Sequence, residues 1–181
     1  MEDRKIIIRD AREGDARLIA WAVLTALDLP ADELDRAARI CADPRTMYSW
    51  RNTRVAEVDG VPVGCLVAYP GDRYVEMRDL TWPMLWGDDS ADDYPVEPEA
   101  LPGEFYLDSM AILPEYRGLE IGHKLMLDGI ERGRRAGSTS VTLLVSQEKP
   151  RLRDYYAALG FRPSGEMDFF GHAYNRLRLR L

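Results

Sequence analysis

Residues 106–125, YLDSMAILPEYRGLEIGHKL, decide how the rest of the chain is read. An apolar run from Tyr106 stops at Pro114, which has no N–H with which to continue a ladder, and an Arg-Gly turn then leads into a helical pattern. A strand that feeds a helix through such a turn aims several backbone N–H groups at one point. Those donors suit a phosphate, because the first turn of a helix has unpaired N–H groups and carries the positive end of the helix dipole.

Past the turn, Ile121, Leu125, Met126 and Ile130 share half of a helical wheel with Gly122, Gly129 and Gly133, which predicts a helix lying close on a sheet. Gly137 ends that helix, and TSVTLLV from Thr139 to Val145 reads as a central strand. Pro150 suits the first turn of a helix ending at Leu159 with Gly160 beyond it, and Phe161 begins another strand. In the tail, Arg176, Arg178 and Arg180 alternate with leucines, predicting one wet face and one buried face.

Before the quoted stretch, Lys5 to Arg9 predicts a first strand, Gly14-Asp15 a cap for the helix ARLIAWAVLTAL, and Ala31 to Cys41 a second helix. Asp59-Gly60 predicts a tight hairpin between Val55–Val58 and Val61–Tyr69, since both turn positions tolerate positive φ. Residues 71–103 hold four prolines, dense acids, Trp82 and Trp86, and read as a long, partly ordered insertion folded over the body of the domain. The element order predicts a mixed α/β fold in a single domain over residues 1–181.

Bulk properties narrow the function. The formal charge of −7 is concentrated in residues 71–103, where nine acids face only Arg73 and Arg78; the rest of the chain is neutral, so no nucleic-acid surface is expected. The opening MEDRKIIIRD is too charged for a secretory or membrane-spanning segment, and a cytoplasmic protein off the membrane is expected. Cys41 and Cys65 sit where small hydrophobes belong and are expected to be reduced. The two histidines, His123 and His172, have no cysteine partner at metal spacing, so no metal is expected.

The strand, YRGLEIG and the following helix resemble the acyl-CoA pyrophosphate loop of the GNAT superfamily of N-acetyltransferases. Against the family pattern of Gln or Arg, two residues, Gly, any residue and then Gly or Ala, this chain reads Arg117, Gly118, Leu119, Glu120, Ile121 and Gly122, departing at one position. Glu120 stands where the family usually has the first glycine; its Cβ restricts backbone approach and its carboxylate repels phosphate unless it points outward. DYYAALGF, from Asp154 to Phe161, resembles the family's aromatic-Tyr-x-x-x-Gly-Phe ending of its last long helix, although Lys149 and Leu152 replace the usual Asn and Ala near that helix's start.

This resemblance implies a GNAT-like mixed, mostly antiparallel central sheet flanked by helices, with the acidic insertion before the fourth strand. It implies transfer of an acetyl group from acetyl-CoA to a primary amine of a small molecule or peptide, by direct attack in a ternary complex. Tyr156 occupies the position of the tyrosine that protonates the leaving thiolate. The pantetheine arm would lie along Met110, Ala111 and Ile112; Arg117, Gly118, Leu119, Glu120, Ile121 and Gly122 would hold the pyrophosphate, with His123 and Lys124 nearby.

Strand alternation puts Tyr106, Asp108 and Met110 on one face and Leu107, Ser109 and Ala111 on the other. Asp108 is the candidate base or else a hydrogen-bond anchor, and Ser109 takes its place if a bulge inverts the faces. The acidic, aromatic insertion reads either as a surface for a cationic acceptor or as a solvated loop with two core tryptophans. Two rivals stay open: an acyltransferase using another acyl-CoA, and a catalytically inactive CoA-binding regulatory module, for which Glu120, Lys149 and Leu152 are the motivating departures. A monomer and a homodimer fit equally.

Overall fold

A seven-stranded sheet of order β1-β2-β3-β4-β5-β7-β6 organises the computed structural model, which describes residues 4–87, 97–169 and 171–181. Its strands are β1 (Ile6–Asp10), β2 (Thr53–Val58), β3 (Val61–Pro70), β4 (Glu104–Ile112), β5 (Ser140–Ser146), β6 (Arg162–Phe169) and β7 (His172–Arg180). Every neighbouring pair is antiparallel except β4 and β5. The helices are α1 (Ala16–Ala26), α2 (Leu34–Ala42), α3 (Tyr74–Trp86), α4 (Ile121–Arg135) and α5 (Pro150–Ala158).

The parallel ladder is short and matters most for the site. It pairs Glu104 with Ser140, Phe105 with Val141 and Tyr106 with Thr142, then stops. From Leu107 to Ile112 the β5-facing edge of β4 has no partner strand, so a row of backbone donors and acceptors is left open.

The two faces of the sheet carry separate cores. Ile19, Val23, Met47, Tyr69, Tyr74, Trp82 and Tyr106 form one with α1, α2 and α3, while Leu66, Leu107, Leu125, Met126, Val141, Phe161 and Leu177 form the other with α4 and α5. The helix glycines act as the wheel predicts: a Cβ at Gly129 would come within 2.8 Å of Leu66, and one at Gly133 within 2.9 Å of Val141. The hairpin turn also holds, with Asp59 at φ 53 and Gly60 at φ 84.

Three expectations are corrected. Residues 71–86 are not irregular insertion: a 3₁₀ turn at Gly71–Arg73 leads into α3, whose Trp82 is buried. Pro83 misled because a proline reads as a break, yet in the last turn it forfeits a single hydrogen bond and its own carbonyl still accepts from Gly87. The acids between 88 and 93, with Tyr94 and Pro95, lie outside the described residues. Second, the arginine face of β7 is not simply wet: Arg176 and Arg178 both pair with the buried Glu104 on β4, Arg178 at 2.8 Å. Third, Asp15 precedes α1 without capping it through its side chain; its carboxylate instead takes Arg9 at 2.7 Å and the Arg12 amide. The Arg9 guanidinium and the Arg12 amide hold the Asp15 carboxyl below the usual range against its burial.

Cys41 and Cys65 are free and buried in the same core. No helix among the described residues is long and apolar enough to cross a membrane.

Candidate active site

After β4, a 3₁₀ turn at Pro114–Tyr116 hands the chain to α4 through two left-handed residues, Gly118 at φ 84 and Glu120 at φ 58, ψ 16. The backbone at Glu120 therefore has a conformation that glycine adopts freely and a side chain opposes. Lys124 is the first amide of α4 to return to the helix, donating to the Glu120 carbonyl at 3.1 Å. The amides of Ile121, Gly122 and His123 have no acceptor among the described residues, which leaves the start of a fifteen-residue helix open to an anion.

A cleft of about 450 Å³ lies against this helix start. Of the sequence-predicted residues, Met110, Ile112, Arg117, Gly118, Glu120, Ile121, Gly122 and His123 line it. Ala111, Leu119 and Lys124 do not: the Ala111 side chain faces the opposite core, Leu119 packs into the core under α4, and Lys124 is exposed. Two lining residues escaped the motif, Tyr116 and Tyr155. Tyr155 belongs to DYYAALGF, where it reads as a packing residue; its hydroxyl instead lies 3.4 Å from His123 Nδ1, joining α5 to the start of α4.

Tyr156 sits one residue on, 9% exposed, with its ring edge-on to Phe161 at 5.9 Å. Its hydroxyl has no hydrogen-bond partner among the described residues. Burial, with a smaller contribution from Tyr155, pushes the phenol up to about 12, so it stays protonated at neutral pH.

The β4 face assignment is corrected by a bulge. Val67 pairs with Ser109 and the adjacent Ala68 pairs with Leu107, so Asp108 is the extra residue. As a result Tyr106 and Ala111 share the core under α1–α3, whereas Leu107 and Met110 pack on the α4 side. Met110 is therefore not on the face of Tyr106, and the unpaired Asp108 is re-aimed. Its Oδ2 accepts from the Tyr69 hydroxyl at 2.5 Å and its Oδ1 from the Ser109 hydroxyl at 2.8 Å. Burial raises the Asp108 carboxyl above the usual range against those two hydrogen bonds.

Comparison with known proteins agrees with this geometry. The profile of the acetyltransferase (GNAT) family matches residues 17–161. Among solved structures, an N-acetyltransferase from Staphylococcus aureus Mu50 is similar with a TM-score of 0.81 at 25% identity, covering 96% of this chain and 100% of its own. A second, described as an acetyltransferase, gives 0.78 at 27% identity and covers 96% and 98%. The fold is shared with a chain of the NatC complex bound to Gag peptide and CoA, with a TM-score of 0.60 at 17% identity over 98% and 99% of the two chains. None of the curated protein sequences matches. The matched segment carries the bulged strand, the open helix start and the tyrosine helix together, and the chain belongs to the GNAT family of acetyltransferases.

Proposed function

We propose that the protein transfers an acetyl group from acetyl-CoA to a primary amine by direct attack in a ternary complex, with Asp108 as the base and Tyr156 as the proton donor to the leaving sulfur. The observation that carries this reading is the open helix start beside an unpaired stretch of β4 that ends in a bulged, proton-seeking carboxylate. Acetyl-CoA, when bound, supplies an activated thioester carbonyl.

The amides of Ile121, Gly122 and His123, with Arg117, would hold the pyrophosphate. The main chain of Met110, Ala111 and Ile112 would receive the pantetheine amides as a further strand, a role that does not depend on where the Ala111 side chain points. Leu119 would fix the loop from beneath, and Lys124 would add charge from the exposed side.

Asp108 would take the proton of the incoming ammonium, directly or through one water, leaving a neutral amine to attack. Tyr156, at about 12, is a weaker acid than a thiol near 8.5, so full proton transfer to a thiolate is uphill. Its hydroxyl would instead hydrogen-bond to sulfur as charge builds, and would pass its proton on only as it takes up the proton lost from nitrogen, leaving amide, thiol and an intact phenol. A cysteine acyl-enzyme is disfavoured, because burial pushes the thiol of Cys41 up to about 12 and that of Cys65 higher still.

Isothermal titration with acetyl-CoA followed by a thiol-release assay over a panel of amines tests the proposal. Binding and amine-dependent release of coenzyme A are expected. Binding with no release on any amine would make the chain a regulatory module, and absence of binding would remove the acetyl-CoA reading altogether.

A further inference from the structure

Behind Asp108 lies a second carboxylate that the motifs do not touch. Glu99, in the segment leading to β4, is 7% exposed. Its Oε1 accepts from the Tyr74 hydroxyl at 2.8 Å and its Oε2 from the Tyr106 hydroxyl at 2.6 Å. The ring of Tyr106 packs against Tyr69 at 5.9 Å and against Tyr74 at 6.5 Å, so one cluster of tyrosines brackets both carboxylates.

Among the described residues, the hydrogen-bond donors to the pair are all neutral hydroxyls and neither carboxylate has an ion-pair partner. Among the described residues, the titratable and charged groups that face them are Tyr48 before β2, Tyr69 on β3, Tyr74 and Arg78 on α3, Tyr106 on β4 and Tyr174 on β7. Arg78 is the one cation of the set, and it is already engaged: its Nε donates to Asp79 at 2.8 Å and its guanidinium lies over the rings of Tyr74 and Trp82. Two carboxylates so placed, Glu99 buried and Asp108 half-buried, resist ionising together. Burial, reinforced by the negative charge of Asp108, pushes Glu99 up to about 8.

We propose that Glu99 is a positioning residue for proton removal, holding itself and Asp108 to one shared proton and so building the site for an alkylammonium acceptor. This rests on the amine-acetyltransferase reading above. The step balances: the ammonium enters, one of its protons passes to the carboxylate pair, and the pair's original proton leaves to solvent. The pair is again singly protonated and the amine is neutral. After attack the remaining proton lost from nitrogen accompanies sulfur, giving the amide and coenzyme A thiol. An arylamine, already neutral near pH 7, gains nothing from the device.

Infrared titration of the carboxyl bands of the substrate-free protein tests the pair without relying on turnover, and the pH profile of kcat/KM tests its use. In the wild type a carboxyl should titrate near pH 8. Glu99→Gln, which keeps the shape, should abolish that titration and move the acid limb of kcat/KM for an alkylamine down by about one pH unit or more, because Asp108 loses its like-charged neighbour. The preference for an alkylamine over an arylamine should fall by about tenfold. Tyr106→Phe should move the titration up, since it removes a donor to the Glu99 carboxylate. Asp108→Asn should move it down. A wild type with no carboxyl titrating above pH 7, or a Glu99→Gln variant whose titration and acid limb stay in place, overturns the proposal. Failure of thiol release with every amine would sink the acetyl-transfer reading, while the infrared result separately decides whether the proton is shared.

Discussion

The two faces of the sheet handle polar groups in opposite ways. Under α4 the buried side chains are apolar apart from the Tyr156 phenol, and the remaining polarity is main chain: the first amides of α4 and the open edge of β4. Under α1, α2 and α3 the core admits Tyr48, Tyr69, Tyr74 and Tyr106 together with Glu99 and Asp108. On the proposed reading, the α4 face would receive a phosphate and amide skeleton with backbone geometry, whereas the other face would strip a proton from an amine with titratable side chains. Asp108 lies at the join, because the bulge turns it from the strand's alternation toward the tyrosines.

The sharpest way to break that division is Asp108→Asn, which should lower kcat/KM by about 10²–10⁴ while acetyl-CoA affinity stays level, read by thiol release and titration calorimetry. A matching loss of acetyl-CoA affinity would mean the two faces are not separate. Glu104→Gln probes the charged part of the tyrosine-side face away from the cleft. It leaves Arg176 and Arg178 without their shared anion and should cost about 3 kcal/mol by denaturant unfolding, with activity at low temperature retained.

Tyr156→Phe should reduce kcat by about a hundredfold with acetyl-CoA binding unchanged; equal activity in the variant would remove the hydroxyl from the mechanism. The smallest effect belongs to the loop. Glu120→Gly relieves a left-handed side-chain residue and removes a carboxylate from the helix start, so acetyl-CoA should bind more tightly and unfolding should become harder by up to about 1 kcal/mol. A weaker titration would show that Glu120 contributes a contact rather than a strain.

The cleft at the start of α4 was legible because its parts are contiguous. Strand, Arg-Gly turn and helix follow one another in the chain, the glycine spacing of α4 predicted its close seat on the sheet, and only Tyr116 and Tyr155 were missed as lining residues. The left-handed turn at Glu120 gives a physical reason for the family's glycine there. The cluster of tyrosines and carboxylates was mostly hidden. Its polar residues come from four separate elements and two connecting segments, and tyrosines in apolar runs read as core because alternation says nothing of which hydroxyls converge. A bulge is likewise silent in sequence, since it depends on how β3 pairs with β4, and it alone decides where Asp108 points. Pro83 concealed α3, which contributes Tyr74 to the carboxylate cluster.

A crystal structure with coenzyme A bound tests the division of the faces most directly. The account predicts the pyrophosphate on the amides of Ile121, Gly122 and His123, the pantetheine paired with β4 between Met110 and Ile112, and the sulfur within about 3.5 Å of the Tyr156 hydroxyl. Coenzyme A seated elsewhere, or a sulfur out of reach of Tyr156, would contradict it.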